Sequence, residues 1–186
     1  MAKRRERPFP ALYPTPAVLV SCVDEAGVPN VVTVAWIGVV SSIPPQVGIA
    51  LRPHRASHDM IQATGEFVVN MPTVDLLNAV DLCGRLSGHD LDKFAAAGLT
   101  PEKADEVRAP LVAECPVNLE CRVTETTVIG SHTLFVGEVV AVHIDDRLLG
   151  PTGLIDYSKA RPVVYMGNEY WSLGECLQVA GYTVKE

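Results

Sequence analysis

Positively charged side chains are concentrated in one short segment, which reads Arg52-Pro53-His54-Arg55-Ala56-Ser57-His58. The segment lies where a predicted strand leads into a predicted helix. Backbone N–H groups at a helix N-terminus, together with arginine and serine side chains, are well suited to bind a phosphate group. The segment therefore predicts a phosphate site, although a solvated loop would explain the same local pattern.

Metal and disulfide chemistry have little support in the sequence. His54 and His58 are four residues apart and could share one helix face as metal ligands, but no third ligand stands near them. We therefore interpret them as part of a solvated helix start and predict no metal site. The five cysteines are an odd number without a C-x-x-C pair, which argues against a disulfide framework or a zinc site. They favour a reduced, cytoplasmic protein, with Cys22, Cys83 and Cys121 as buried thiols.

Several common catalytic motifs are absent from the sequence. It contains no G-x-G-x-x-G, no G-x-x-x-x-G-K-[ST], no G-x-S-x-G and no H-E-x-x-H. These motifs would indicate a Rossmann dehydrogenase, a P-loop enzyme, a serine hydrolase and a zinc protease, respectively. The sequence thus offers no motif in support of those four classes.

Length and composition indicate one folded domain. The chain has 186 residues, of which 48% are apolar and 20% are charged, so it can bury a substantial core. The 22 acidic residues outnumber the 15 Lys and Arg residues and give a net charge of −7. This balance argues against general binding to a nucleic-acid backbone, which requires clustered positive charge.

The N-terminal residues begin like a signal peptide, with four cations among residues 3–7, but prolines then interrupt any helical apolar region. We expect residues 1–12 to form an extended arm instead. The longest apolar stretch, residues 31–40, is far shorter than the ~20 residues that a membrane-spanning helix needs. We therefore expect no membrane segment.

Hydrophobic periodicity and turn signals predict a mostly β structure. Strands are predicted at residues 17–23, 30–36, 46–52, 66–71, 117–123, 132–144 and 162–166, and short helices at residues 56–64, 74–83 and 92–97. The helices are too few and too irregularly placed for a series of β-α-β units. Antiparallel strands in this number usually close into a barrel, so we predict a small barrel with helical insertions and with the longest strand bent across it.

Six sequence fragments, taken in order, resemble a known family. They are Asn30-Val31-Val32-Thr33-Val34-Ala35-Trp36, Ser41-Ser42-Ile43-Pro44-Pro45, residues 52–57, Phe67-Val68-Val69-Asn70, Asp92-Lys93-Phe94 with Gly98-Leu99-Thr100, and Gly130-Ser131-His132 with Phe135-Val136-Gly137-Glu138-Val139. The chain resembles the flavin reductase-like family of the FMN-binding split-barrel fold, and within it the flavoredoxin branch. The resemblance extends over about residues 13–174.

The resemblance implies a single, mostly β domain over residues 1–186, a split β-barrel of Greek-key type with a few short helices. It also implies a homodimer that holds one non-covalent FMN per subunit near the dimer interface. The expected function is electron transfer, as a flavoredoxin-like carrier or an NAD(P)H-dependent flavin reductase. Flavin reductases of this fold often have Thr-Ala-Asn-Ser where this chain has Thr33-Val34-Ala35-Trp36, which is similar to the flavoredoxin branch. The electron donor is therefore either NADH or NADPH or a redox partner protein.

The resemblance also assigns the cofactor contacts. Residues of the first two fragments would contact the flavin: Asn30, Thr33, Val34, Ala35, Trp36, Ser41 and Ser42. The ribityl-phosphate end would be served by Ser57 and Lys93, with Arg52, His54 and Arg55 as helpers. His132 and Tyr165 would lie near the ring system, with His132 as the candidate catalytic residue.

Each of these residues has an ordinary structural interpretation as well. Trp36 would pack in the core or an interface, His132 would cap a strand, Lys93 would be solvated and Tyr165 would pack. At the level of the whole protein, two alternatives remain open. One is a pyridoxamine-phosphate-oxidase-like enzyme, although its Arg-rich substrate signature is absent; the other is a non-catalytic module that binds flavin or haem.

Overall fold

The computed structural model describes Met1 and residues 3–184. Its strands are β1 (Thr15–Pro16), β2 (Val18–Val23), β3 (Pro29–Val34), β4 (Ile37–Ser42), β5 (Pro45–Leu51), β6 (Glu66–Met71), β7 (Pro101–Glu102), β8 (Leu111–Val112), β9 (Val117–Ile129), β10 (His132–Ile144), β11 (Val163–Met166) and β12 (Glu169–Ser172). Its helices are α1 (Ala56–Thr64), α2 (Leu77–Arg85), α3 (Lys93–Ala97) and α4 (Tyr157–Ala160), with short 3₁₀ turns at Val74–Leu76 and Asp146–Leu148. The predicted mostly β structure is confirmed.

The main sheet has seven antiparallel strands in the order β3-β2-β6-β9-β10-β5-β4. It curls back on itself at the β3–β4 connection, where the backbone N–H of Ala50 in β5 donates to the carbonyl of Trp36 at 2.8 Å and extends the β4–β5 pairing. Val32 and Val34 of β3 pack in the same buried cluster as Ile49 of β5. This closure places the end of β3 beside the end of β5.

The pairing of β10 with β9 is irregular in the middle of the strand. It shifts register between Val136 and Gly137. A Cβ atom on Gly137 would lie 2.6 Å from the Cζ atom of the fully buried Phe67. The glycine therefore leaves the space that the aromatic ring fills, next to the shift in register.

Helices α2 and α3 cover the outer side of β2 and β3. Val80 and Cys83 of α2 and Phe94 of α3 pack in one buried cluster with Leu19 and Val31 of the sheet. Helix α3 has well-defined ends, because the Asp92 side chain accepts a hydrogen bond from the Ala95 N–H and Gly98 ends the helix in the left-handed conformation with φ 65°. These caps fix the position of Lys93, the first residue of α3.

A buried polar network attaches the excursion of residues 85–110 and the following strand to the sheet. Asn70 of β6 accepts a hydrogen bond from the Val112 N–H at 2.9 Å, and Asn118 of β9 donates to the same Asn70 oxygen at 2.8 Å. Glu120 of β9 accepts hydrogen bonds from the backbone N–H groups of residues 105–107. The excursion is therefore attached to the sheet by side chains rather than by strand pairing alone.

Several elements differ from the sequence prediction, which also lacks β1, β7, β8 and α4. Residues 37–42 form the edge strand β4, whose exposed Gly38 and terminal serines give no clear strand pattern. Strand β9 continues to Ile129 because its outer half, although exposed and polar, pairs with β10. Strand β12, at Glu169–Ser172, was not predicted and pairs with β11 through a turn at Gly167 and Asn168.

All five cysteines are free thiols, in agreement with the absence of a predicted disulfide framework. Four are buried, and burial raises the pKa of Cys22 and Cys121 to about 12 and that of Cys83 to about 11. Cys176 is exposed. Within the described part of the chain, no helix is both long enough and apolar enough to cross a membrane.

Candidate functional site

A cleft of about 560 Å³ opens where the ends of β3 and β5 meet. Eight of the residues predicted to contact the cofactor line it: Thr33, Val34, Ala35, Trp36, Arg52, Arg55, His132 and Tyr165. They come from the β3–β4 connection, the β5–α1 connection, the start of β10 and the β11–β12 hairpin. The barrel closure therefore brings together residues that are far apart in the sequence.

One wall of the cleft is aromatic. The rings of Trp36 and His132 are nearly parallel, at 2°, with centroids 6.3 Å apart. The Tyr165 ring lies 6.3 Å from Trp36, and Tyr170 lies 5.9 Å from Tyr165. Trp36 is 41% exposed. This wall offers flat apolar faces to a planar ligand.

Lys93 lies behind the wall of the cleft, against the C-terminal part of α2. Its Nζ atom donates a hydrogen bond of 3.0 Å to the carbonyl of Cys83, which precedes the cleft-lining Gly84. The lysine is only 2% exposed and forms no ion pair with a described residue. Burial lowers its pKa, and the nearby Arg55 lowers it further. A buried ammonium group without an acidic partner is costly, so this arrangement fits an anionic ligand.

The N-terminus of α1 adds further hydrogen-bond donors. Its N-cap residue, Arg55, is in an extended conformation and its side chain caps no N–H group. Ser57, in the first turn, accepts a hydrogen bond of 2.9 Å from the Asn30 amide. Together with Lys93, these groups form a donor set that fits a phosphate group.

A loop lies closely over the Asn30 side chain. A Cβ atom on Gly88 would come within 2.6 Å of the Asn30 Nδ2 atom, so a glycine is required there. Asn30 and Ser57 are consequently buried, at 3% and 1% exposure, and neither lines the cleft directly. The structure places both of them behind its wall.

Like Lys93, His132 lies among groups that disfavour its charged form. Partial burial lowers the pKa of His132, and the positive charges of Arg52 and His54 lower it further. Its Nδ1 atom lies 2.9 Å from the Ser131 hydroxyl. Although His54 does not line the cleft, it is therefore close to a residue that does.

Two predicted contacts lie elsewhere. Ser41 and Ser42 are at the far end of β4, where Ser41 pairs with Gln46 and Ser42 with Pro45, and they do not line the cleft. His58 bonds to Thr133 and Asp59 rather than acting with His54.

Three polar cleft residues were not predicted from the sequence. Arg85 ends α2 and pairs with Asp81 at 3.6 Å, and the Tyr170 hydroxyl donates to the same Asp81. Asn168 accepts a hydrogen bond from the Tyr165 hydroxyl at 2.8 Å. The Gly167-Asn168 pair after a strand is a hairpin signal that could have predicted β12, and with it Tyr170.

A separate group of Asp105, Glu120 and His143 has ligand atoms within 4.8 Å of one another, a spacing that could hold a metal ion. However, Glu120 already accepts three backbone hydrogen bonds, and His143 lies 2.6 Å from it. The carboxylate is thus engaged in holding the 105–107 loop.

Comparison with known sequences decides the family. The family model described as the flavin reductase like domain matches residues 11–174. The chain belongs to the flavin reductase-like family. An uncharacterised protein from Archaeoglobus fulgidus is 40% identical over 131 residues, which cover 70% of this chain and 73% of the relative.

Solved structures of two flavoredoxins are similar to this member of the flavin reductase-like family. The flavoredoxin of Desulfovibrio vulgaris (Miyazaki F) has a TM-score of 0.93 and 33% identity, covering 99% of this chain and 100% of the other. The flavoredoxin from Methanosarcina acetivorans has a TM-score of 0.88 and 28% identity, covering 98% and 97%. The expected split-barrel fold and the resemblance to the flavoredoxin branch are confirmed.

Proposed function

We propose that this flavin reductase-like protein binds FMN without a covalent bond and uses it for electron transfer, as a flavoredoxin-like carrier or an NAD(P)H-dependent flavin reductase. The observation that carries the proposal is the buried Lys93, which has no acidic partner among the described residues and whose pKa is lowered by burial and by Arg55, the N-cap residue of α1. This donor set suits the phosphate dianion of FMN. The aromatic wall of the cleft suits the planar ring.

In this proposal the residues of the site bind FMN and orient its ring. Lys93, Ser57 and Arg55 hold the phosphate, and Thr33, Val34 and Ala35 bring their backbone to the flavin. Bound FMN supplies the redox chemistry through its ring system, so no nucleophilic side chain is required.

Trp36 and His132 have different roles at the ring. Trp36 forms one wall and restricts the approach of other molecules. His132, whose Nδ1 atom is engaged with Ser131, can donate a hydrogen bond to the ring or to a bound reactant when Nε2 carries a proton.

Substitution of Lys93 by methionine tests the cofactor assignment. Lys93→Met keeps an unbranched side chain but removes the charge. Hydrogen bonds to charged groups contribute about 1.5–3 kcal/mol, so we expect the dissociation constant for FMN to rise about 10- to 100-fold. Riboflavin lacks the phosphate, and its affinity should change far less. Both constants are measured by quenching of flavin fluorescence.

Lys103→Met is the matched control, because Lys103 is an exposed lysine of the 101–110 loop and does not line the cleft. It should leave both affinities unchanged. Equal losses of FMN and riboflavin affinity in Lys93→Met, or a parent protein that does not bind FMN, would contradict the assignment. Anaerobic titration of the holoprotein with NADH and with NADPH then separates a reductase from a carrier, since only a reductase is bleached by one of them.

A further inference from the structure

A second group of nitrogen-bearing side chains, Arg52, His54 and His132, lies in or beside the cleft, apart from Lys93. Arg52 follows the end of β5, and His132 begins β10, where Thr133 pairs with Leu51. The two side chains therefore come from adjacent strand ends. His54 follows two residues after Arg52, and both affect the titration of His132. The three residues define a cationic patch at the cleft mouth, in which Arg52 carries the formal positive charge and the two imidazoles lie beside it.

Nothing described in the protein neutralises this patch. Arg52, His54 and His132 form no ion pair with the described residues, whereas Arg85, also in the cleft, pairs with Asp81. Among its described lining residues, the cleft has three arginines and a histidine but no carboxylate. In a chain with a net charge of −7, such a concentration indicates an anionic ligand.

The phosphate of FMN does not account for both groups of cations. Arg55 is the N-cap residue of α1, whereas Arg52 follows the end of β5 beside the start of β10. A phosphate held by Lys93 and the N-terminus of α1 therefore engages Arg55 and leaves Arg52 without an anion. Trp36, parallel to His132, offers a flat face next to this patch.

We propose that Arg52, His54 and His132 form a second anion subsite, which binds the carboxylate or phosphate group of a planar organic anion that reacts with the flavin. This inference rests on the proposed function. In it, the cationic patch selects the reactant by charge, and Trp36 contacts its planar part.

The test titrates the FMN-loaded protein with benzoate and with benzamide, which have nearly the same shape but differ in charge, and follows the flavin absorption spectrum. Benzoate should bind more tightly than benzamide. In Arg52→Gln, the affinity for benzoate should fall about 10- to 100-fold, while that for benzamide should not change. Phenyl phosphate, titrated in parallel, distinguishes a phosphate-bearing from a carboxylate-bearing reactant, according to which binds more tightly.

Arg85→Gln is the matched control, because it removes a cleft arginine that already has an acidic partner. It should change the benzoate affinity by less than about twofold. Equal binding of benzoate and benzamide, or equal effects of Arg52→Gln and Arg85→Gln, would overturn the subsite. A selective loss of FMN relative to riboflavin in Arg52→Gln would also overturn it, because Arg52 would then belong to the phosphate end.

Failure of the subsite and failure of the proposed function give different results. A parent protein that binds FMN but does not distinguish benzoate from benzamide retains the proposed function and lacks the subsite. A parent protein that binds no FMN contradicts the proposed function. The subsite is then judged by the melting temperature of the FMN-free protein, which benzoate should raise and benzamide should not.

Discussion

Glu120 is a fully buried carboxylate whose charge is stabilised by hydrogen bonds. Burial raises its pKa, but the N–H groups of residues 105–107 and the His143 imidazole more than compensate, and the net pKa is lowered from 4.5. The charged form is therefore the one that the fold requires. It attaches the excursion to β9, and it does not line the cleft.

We predict that Glu120→Gln lowers the free energy of unfolding at pH 7 by about 3 kcal/mol, because an amide cannot accept all four hydrogen bonds. A lowered pKa stabilises the folded state above pH 4.5, and this contribution is lost as the pH falls below that value. The parent protein should therefore lose stability on acidification more steeply than the variant. Urea denaturation measures both effects between about pH 3 and about pH 7, a range that spans the usual pKa of a carboxylate.

Glu125→Gln provides the control on the same strand, since Glu125 is exposed. Its stability should remain within about 0.5 kcal/mol of the parent value. If Glu120→Gln and Glu125→Gln behaved alike, the buried carboxylate would not be holding the loop.

Among the elements, β10 depends on one glycine. Gly137 lies where β10 changes register against β9, and the Phe67 ring occupies the space that a side chain would need. We predict that Gly137→Ala destabilises the fold by about 2 kcal/mol through overpacking. Gly38→Ala on β4 should have little effect, because a Cβ there meets no atom within 4 Å.

Thermal unfolding of a double variant identifies the cause. Phe67→Leu removes the ring that would clash, so Gly137→Ala should cost less in that background than in the parent protein. Additive effects of the two substitutions would instead mean that the glycine is needed for backbone conformation alone.

The sequence was informative for elements with their own local signals. The bounds of α1, β6 and β10 match the prediction, because a Gly65 cap, a buried apolar run and a Gly130 turn each mark an end. Strand β4 could not be predicted, since it is an edge strand whose pairing with β5 supplies what its exposed residues do not. The local sequence pattern does not predict such pairing, because it depends on residues of another strand.

The candidate site shows the same division. The junction of β5 and α1 at Arg55 and Ser57 was predictable, because a strand-to-helix junction is a local feature, and phosphate binding there stays a prediction. Arg85 and Tyr170 were not, since they reach the cleft only through the packing of α2 and the β11–β12 hairpin on the barrel. Likewise, the burial of Lys93 depends on the caps of α3 and on its contact with Cys83.

For the whole molecule, apolar side chains on the edge strand predict association. Val39 and Ile43, on β4 and the turn that follows it, are 78% and 93% exposed, and Val128 near the β9–β10 turn is 75% exposed. An exposed apolar edge is normally covered. We predict a homodimer, which sedimentation of the holoprotein would detect as a species of twice 20.0 kDa.

Charge placed on the edge should separate the subunits. Val39→Lys is expected to shift the protein toward the 20.0 kDa species, whereas Val28→Lys, at an exposed valine of the β2–β3 turn, should not. Sedimentation of the parent protein as 20.0 kDa alone at micromolar concentration would exclude the dimer.

The five thiols are distributed so that the rate at which each is chemically labelled measures local opening of the fold around it. A maleimide should label Cys176 at once in the native state, whereas the four buried thiols, with raised pKa values, should react only when the surrounding structure opens. Mass spectrometry resolves the rate at each site. Because the carbonyl of Cys83 holds Lys93, FMN should slow labelling of Cys83 more than that of Cys121 in the barrel core. Equal slowing at both cysteines would mean that FMN stabilises the molecule as a whole. Slower labelling of Cys83 alone would identify the region around Cys83 and Lys93 as the part that FMN stabilises locally.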